Sequence, residues 1–457
     1  MSGPSDVVNH QPELQALVSS LFDSPEFSDV QLEVNGSQSF QAHRLLLVTQ
    51  SSVFRTMLSS PHWNSSKQDM VSLVEDEQCV PHFAGFLRYF YTGTVELDVD
   101  SAMPVCVLAD KYDMAALREC CQEFMVRNVA SPAAFNQAVP WRRYSALAGL
   151  AQLREACDEF LARNVDTAAR SPGWASMEEE QLCALLQRSD LVTESEAALL
   201  AAAAAWLRPR PERAAHVLRH IRLPMIHPDE LYQYQALTPG GDDEVHAYIQ
   251  RGSLISYQAN SVSVELLGRN NDLTSAPFAM RLYKSQSAGS SWEMGNYTAQ
   301  PAGEHGLKFT SVCLQARCKW RIRFYPRGQM VPRISTLGLY RAQSTYREEV
   351  FVNETSLGWT VDCGMGLPHH RHRLNVLLHI FQNGEWFVSD IKAFDSIPGS
   401  ENGVRDLIPE PERQQYTATN SMRLHFVGQT IWTNPTPEPE EEKSEDVPVF
   451  LVSGLPL

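Results

Sequence analysis

The sequence predicts a multidomain protein with three structural classes in series: an α+β domain, an all-α domain, and an all-β antiparallel sandwich-like domain. Three observations carry that reading. Val30-Gln31-Leu32-Glu33-Val34 alternates apolar and polar residues, as a half-buried strand does, and runs into Asn35-Gly36, a dipeptide that closes a two-residue hairpin. Between about Ser131 and Gln235, apolar residues recur at helical spacing around an Ala-rich run that ends near Trp206-Leu207. From about Ser261 to Trp432, short β-branched and aromatic segments alternate with turn residues. At 457 residues the chain exceeds one ordinary core, and length suggests about three domains.

In chain order, residues 1–26 form a lead-in whose Leu14, Leu17, Val18, Leu21 and Phe22 follow an i, i+3, i+4, i+7, i+8 pattern, giving a short helix an apolar stripe. Residues 27–129 form the first domain. After the hairpin, a second short strand ends at Phe40, and His43 to Leu58 reads as one or two short helices with Leu46, Leu47, Phe54, Met57 and Leu58 inward. Ser51 or Ser52 is placed to cap the second helix. Val105, Leu108, Ala109, Tyr112, Leu117, Cys120 or Cys121, Phe124 and Met125 give the closing helices their apolar face. The run Asp29-Val30, Phe40 to Leu47, Ser52-Val53-Phe54 and Phe86 to Gly93 resembles the BTB/POZ family. That resemblance implies an interaction module that self-associates, with Asp29 and His43 as structural hydrogen-bonding residues. Its lead-in helix would pack across a partner copy.

Residues 130–240 read as a helical domain. Thr193 with Glu196 three residues on forms a capping-box pattern, Leu199, Leu200 and Trp206 supply a packing face, and Pro209 and Pro211 stop the helix. Together with Ile221-Arg222-Leu223-Pro224-Met225-Ile226 and Pro228-Asp229-Glu230-Leu231, this series resembles the BACK domain that accompanies BTB in many adaptors. Cys79-Val80-Pro81, Leu87 to Tyr91, Arg188 to Leu191 and Ile221 to Met225 further resemble a galectin-binding group within the BTB/POZ-BACK family.

Residues 241–261 read as a linker around Pro239-Gly240-Gly241, and 262–434 as the β-rich domain. Its expected strands are Val262 to Leu267, Phe278 to Tyr283, Lys319 to Tyr325, Glu349 to Val352, Leu374 to Phe381, Glu385 to Ile391 and Met422 to Phe426, with Asn383-Gly384 a further hairpin signal. The spacing is TRAF-like by analogy only, and no kelch-type repeat is visible. Residues 435–457 form an acidic Pro/Glu tail.

Composition narrows the function classes. A formal net charge of −16 with no basic patch argues against nucleic acid as a partner. The longest apolar run, Ala197 to Leu207, falls well short of the roughly 20 residues needed to cross a bilayer. His369-His370-Arg371-His372-Arg373 reads as a solvated loop. None of the common catalytic signatures occurs, neither an HExxH nor a GxSxG nor a phosphate loop, so the expectation is a non-enzyme without cofactor or metal.

The nine cysteines read mainly as buried thiols, with Cys313 and Cys318 a possible pair on neighbouring strand positions. The resemblance to the galectin-binding group adds Cys79 with Cys106. Acceptor motifs for N-glycosylation begin at Asn64, Asn296 and Asn353. Two functions compete on these grounds. One is a cytoplasmic adaptor that homodimerises through BTB, recruits an unidentified client through the β-rich domain, and serves as a cullin-3 ubiquitin-ligase adaptor through Phe54, Met57, Leu58, His62 and Trp63. Resemblance to adaptors of that class implies an apolar residue two before a glutamate in the loop that follows, and this sequence has His62-Trp63-Asn64 there, without the glutamate. The other is a secreted, glycosylated oligomeric protein of adhesion type. The first residues offer no signal peptide, which favours the cytoplasm for the sequence as it stands.

Overall fold

A computed structural model describes residues 10–59, 70–129, 137–237, 250, 253, 256–258, 275–285, 288–313, 316–337, 344–363, 370–382 and 385–432. The chain divides into two compact units, Met1–Leu185 with Ile380–Ser389, and Leu186–His379 with Asp390–Leu457.

In unit 1, helix α1 (Gln11–Ser20) precedes β1 (Val30–Val34), β2 (Gln38–Ala42), α2 (Arg44–Gln50), α3 (Ser52–Ser59) and β3 (Met70–Leu73). The order in the sheet is β2-β1-β3, with β1 antiparallel to β2 and parallel to β3. Buried Val30, Leu32 and Val34 confirm the alternation read from the sequence. The turn differs in length. Val34 pairs with Gln38, so three residues close it, Asn35 and Gly36 both at positive φ. Asn35 is also held from the side, because its amide exchanges two hydrogen bonds with the backbone of Glu75, at 2.8 and 2.7 Å.

Helices α4 (Phe83–Thr92), α5 (Ala102–Lys111) and α6 (Ala115–Asn128) complete this domain. Gly93 ends α4 in the left-handed conformation that a C-cap favours. The core is aromatic: Phe54 stacks on Tyr112 at 4.5 Å, while Phe83, Phe86 and Phe90 meet these rings at tilted or edge angles. Asp29 and His43 are structural, as expected. The Asp29 carboxylate accepts from the Arg44 N–H at 2.7 Å, and the His43 ring joins the Tyr91 hydroxyl to the Glu26 carbonyl.

Unit 1 continues with α7 (Ala138–Leu147), α8 (Ala151–Arg163), α9 (Val165–Ala168), α10 (Pro172–Ser176) and most of α11 (Glu179–Gln187). Asn164 bonds both the N–H and the C=O of Val388, which belongs to the same unit.

Unit 2 holds β4 (Val192–Thr193), α12 (Glu196–Leu207), α13 (Ala214–Leu218), α14 (Pro228–Leu237) and β5 (Leu282–Tyr283). Then come β6 (Gly289–Gly295), β7 (His305–Cys313), β8 (Ala316–Tyr325), β9 (Gln329–Leu337), β10 (Ser344–Val352), β11 (Ser356–Cys363), β12 (His370–Gln382, in this unit to His379), β13 (Glu385–Ser396, in this unit from Asp390), β14 (Glu401–Val404) and β15 (Ser421–Trp432). Two four-stranded antiparallel sheets result, β14-β11-β8-β7 and β13-β12-β15-β6, beside a β9-β10 ribbon. They pack face to face. Phe324 of the first sheet meets Trp292 at 4.9 Å and Phe426 at 6.1 Å, both from the second. Gly428 on β15 is needed there, because a Cβ would overlap the buried indole of Trp320 on β8.

Several expected elements change. Phe278 ends a 3-10 turn, and only Leu282–Tyr283 of that segment is a strand, parallel to β4. Val262 to Leu267, Asn383-Gly384 and the Pro239-Gly240-Gly241 stretch lie outside the described residues, and the described positions of the expected linker, 250, 253 and 256–258, are helical. Thr193 does not form the capping box with Glu196. The N-cap is Ser195, whose hydroxyl accepts from the Ala198 N–H, while Thr193 sits in β4.

Candidate interaction surfaces and buried polar sites

Helix α1 divides its apolar stripe in two. Val18, Leu21 and Phe22 are half-buried against their own domain, Phe22 edge-on to Tyr91 at 5.7 Å and under the Arg88 guanidinium. Gln15 adds a hydrogen bond to the Thr92 carbonyl at 3.0 Å. Leu14 and Leu17 remain 62% and 66% exposed. A helix fixed by one half of its stripe therefore presents the other half outward.

The surface expected from Phe54, Met57, Leu58, His62 and Trp63 is not assembled that way. Phe54 and Leu58 are core residues, Phe54 because its ring stacks on Tyr112, and only half-buried Met57 reaches the surface. His62, Trp63 and the acceptor Asn64 lie outside the described residues. Asn296 and Asn353 are both exposed, the first at the end of β6 and the second between β10 and β11. Thr355 of the second motif is buried, bonded to the Ile408 backbone.

The cysteines follow the main reading as free thiols, and the two expected pairs are corrected. All nine are free thiols. Cys313 lies diagonal to Cys318, since Cys313 pairs with Ala316 and Cys318 with Ser311, and its sulfur instead accepts from the Trp432 indole at 3.2 Å. Cys79 turns to the Pro104 carbonyl, while Cys106 contacts the Arg118 carbonyl and the Tyr144 hydroxyl. Cys120, read as part of a helix face, is exposed. Burial pushes Cys79 up to about 11, and Cys157 and Cys313 up to about 12, as expected of inert thiols.

Cys318 behaves differently. It lies directly opposite Cys363 in the β8-β11 register, with His372 of the other sheet over the pair. Its pKa falls to about 5, chiefly because the Cys363 thiol donates to its thiolate, with His372 and Thr430 adding to the effect. The same coupling raises Cys363. The His369 to Arg373 stretch, read as a solvated loop, begins β12 at His370, and the strand turns His372 inward to 1% exposure.

A second polar site joins Glu196 and Arg222, which the sequence places in separate motifs, to Arg281, which no motif contains. Glu196 opens α12 at 2% exposure and accepts from Arg281 at 2.9 and 3.3 Å, from the Tyr283 hydroxyl at 2.8 Å and from the Arg222 N–H at 2.7 Å. Arg281 also donates to the Arg188 and His220 carbonyls, and Arg222 to Ser189 and the Ala279 carbonyl. Burial lowers Arg222 to about 10. Glu196 and Arg281 are paired and hydrogen-bonded, the condition under which a buried ion pair is tolerated, while the Arg222 guanidinium is held by neutral oxygens. This hub ties α12 to β5, so the helical segment of unit 2 and its sandwich share one core. The sequence signal was available only as a lone arginine before an apolar pair, which says nothing of a partner 85 positions away.

Among the described residues, no helix is long and apolar enough to cross a membrane. Residues 18–129 match the BTB/POZ domain model and residues 138–236 the BTB And C-terminal Kelch (BACK) model. BTB/POZ domain-containing protein 17 of Xenopus laevis is 32% identical over 450 residues, covering 93% of this chain and 92% of that protein. Its Xenopus tropicalis counterpart is 33% identical over 64% of this chain and 62% of that protein. The galectin-3-binding protein of Pongo abelii is 28% identical over 69% of this chain, which spans about half (55%) of that relative's length. With two domain models in order and a relative matched along nearly its whole length, the chain belongs to the BTB/POZ-BACK family, in the group that includes BTB/POZ domain-containing protein 17.

Proposed function

We propose that this protein is a non-enzymatic scaffold that homodimerises through α1 and its BTB domain and recruits a partner through the β-rich region. The observation that carries the reading is the exposure of Leu14 and Leu17 on a helix otherwise anchored to its own domain. Obligate interfaces are apolar, and two outward leucines on a fixed helix offer a second copy such a surface. Light scattering on the full chain at micromolar concentration tests it. The expected result is a dimer for the wild type and a monomer for L14E/L17E with an unchanged circular dichroism spectrum. A monomeric wild type, or a variant that stays dimeric, sinks the reading.

Cullin-3 docking through this domain is expected to be weak, because Met57 alone of the described residues in the expected set offers surface and Asn64 stands where a glutamate is expected. Calorimetry against the cullin amino-terminal domain checks this. Submicromolar affinity would promote the ligase-adaptor role.

A secreted, glycosylated oligomer is the second reading, favoured by the exposure of Asn296 and Asn353. Expression in secreting cells with glycosidase treatment decides it. A mobility shift lost in N296Q/N353Q supports that reading, and unmodified intracellular protein opposes it.

A further inference from the structure

Cys318 is the third residue of β8 and His372 the third of β12, Cys363 ends β11 and Thr430 lies near the end of β15. In antiparallel sheets these positions fall at one end of the sandwich. They form two facing cross-strand pairs, Cys318 opposite Cys363 on one sheet and His372 opposite Thr430 on the other. The donor atoms of the two cysteines and the histidine all lie within 4.8 Å of one another, with Cys318 and His372 buried and Cys363 half-buried.

We propose that Cys318, Cys363 and His372 bind a zinc ion that pins the two sheets together at this end of the sandwich. The distances suit the ion. With zinc about 2.3 Å from sulfur and about 2.0 Å from nitrogen, a tetrahedron separates sulfur and nitrogen donors by about 3.5 Å. His372 Nδ1 stands 3.7 Å from Cys318 Sγ and 3.8 Å from Cys363 Sγ, so a single centre can reach all three after small shifts. Softness agrees as well, since two thiolates and an imidazole select zinc over magnesium or calcium.

Charge explains why the site can be buried. Bound zinc holds both cysteines as thiolates, so Zn²⁺ with two thiolates and a neutral imidazole carries no net charge. A neutral centre avoids the desolvation cost that an isolated buried ion would meet. Thr430 Oγ1, 4.0 Å from Cys318 Sγ, is a hard neutral oxygen and a poor fourth ligand. The fourth position is therefore left to water or to a donor brought by a partner. A disulfide between Cys318 and Cys363 is the competing use of the same thiols, and it gives no role to a buried histidine whose two nitrogens both face sulfur.

The test uses the full chain, purified with reductant, stripped by chelator and titrated with cobalt(II). One equivalent should produce the visible bands of a tetrahedral ion and a near-ultraviolet sulfur-to-cobalt band, all removed by one equivalent of zinc. C363S, altered at the half-buried position, and H372Q should each lose the sulfur-to-cobalt band or its intensity while keeping the wild-type circular dichroism. C313S, altered at the neighbouring thiol held by Trp432, should keep the spectrum. Absence of stoichiometric cobalt binding by the reduced wild type overturns the proposal. So do an unchanged spectrum in C363S and H372Q, and peptide mapping that finds Cys318 joined to Cys363 in protein isolated without reductant.

Discussion

Each unit buries a glutamate, and the two are held in different ways. In unit 1, Glu75 accepts from the Tyr112 hydroxyl at 2.6 Å and from Lys111 at 2.9 Å, but the lysine side chain is 45% exposed and stays open to water. In unit 2, Glu196 and Arg281 both have side chains at 0% exposure, and the pair is closed by Tyr283 and Arg222. Water can replace Lys111 if it swings away. Nothing can replace Arg281 without repacking α12 against β5, so the second site specifies structure where the first merely tolerates a charge.

The largest expected effect follows. Arg281→Met leaves Glu196 buried with neutral donors and should cost about 3 to 5 kcal/mol, read as a fall in the urea midpoint of unit 2. E196L/R281M removes both charges and should recover most of that loss. If R281M costs under about 1 kcal/mol, the hub does not hold the helical segment to the sandwich.

Unit 2 also carries the pH dependence. Burial lowers His379 to about 3 and His425 to about 4, with Lys284 and Arg423 adding repulsion at both and His425 adding to it at His379. Unfolding restores the ordinary value near 6.5, so the unfolded chain binds more protons below it. Stability is therefore complete above about pH 6.5 and falls steadily as the pH drops toward about 3. H379Q/H425Q should flatten the midpoint between pH 7 and pH 4. A flat wild-type profile would rule the histidines out.

Unit 1 was far more legible than unit 2, for physical reasons. Its strands and helices are specified by neighbours: the Val30 to Val34 alternation, the Asn35-Gly36 turn and the Phe86 to Phe90 spacing each act within a few residues. The sites of unit 2 depend on distant partners. Glu196 looked like the end of a capping box because a glutamate near a helix start usually serves the helix, and its true partner, Arg281, lies 85 residues on. Cys318 looked paired with Cys313 through proximity in sequence, whereas register sets it against Cys363. Strand β7 escaped notice because its first six positions carry no buried residue, which leaves a weak hydrophobic signal. The exposed half of α1 was readable as a stripe, but not as a stripe split between its own domain and solvent.

A smaller effect tests the sandwich without touching charge. Gly428→Ala places a methyl group on the Trp320 indole and should cost about 2 kcal/mol by overpacking. Trp320→Phe makes room but loses the bond from the indole to Ser311 at 2.8 Å. The double variant G428A/W320F should therefore be more stable than the sum of the two single losses predicts, a positive coupling read by urea titration. Additive losses would mean that Trp320 and Gly428 do not share that space.

The smallest effect returns to Glu75. Tyr112→Phe keeps the stacked ring against Phe54 and removes one hydrogen bond to a carboxylate whose side chain is only 2% exposed. Hydrogen bonds to charged groups contribute about 1.5 to 3 kcal/mol, and Lys111 together with water reached through its exposed side should offset part of the loss, leaving about 1 to 1.5 kcal/mol. Adding Lys111→Met to Tyr112→Phe takes away that compensation, so the double variant should lose more than the two single variants combined. Should Y112F alone match the loss in R281M, Glu75 would be as dependent on its partners as Glu196, and the contrast between the two buried glutamates would disappear.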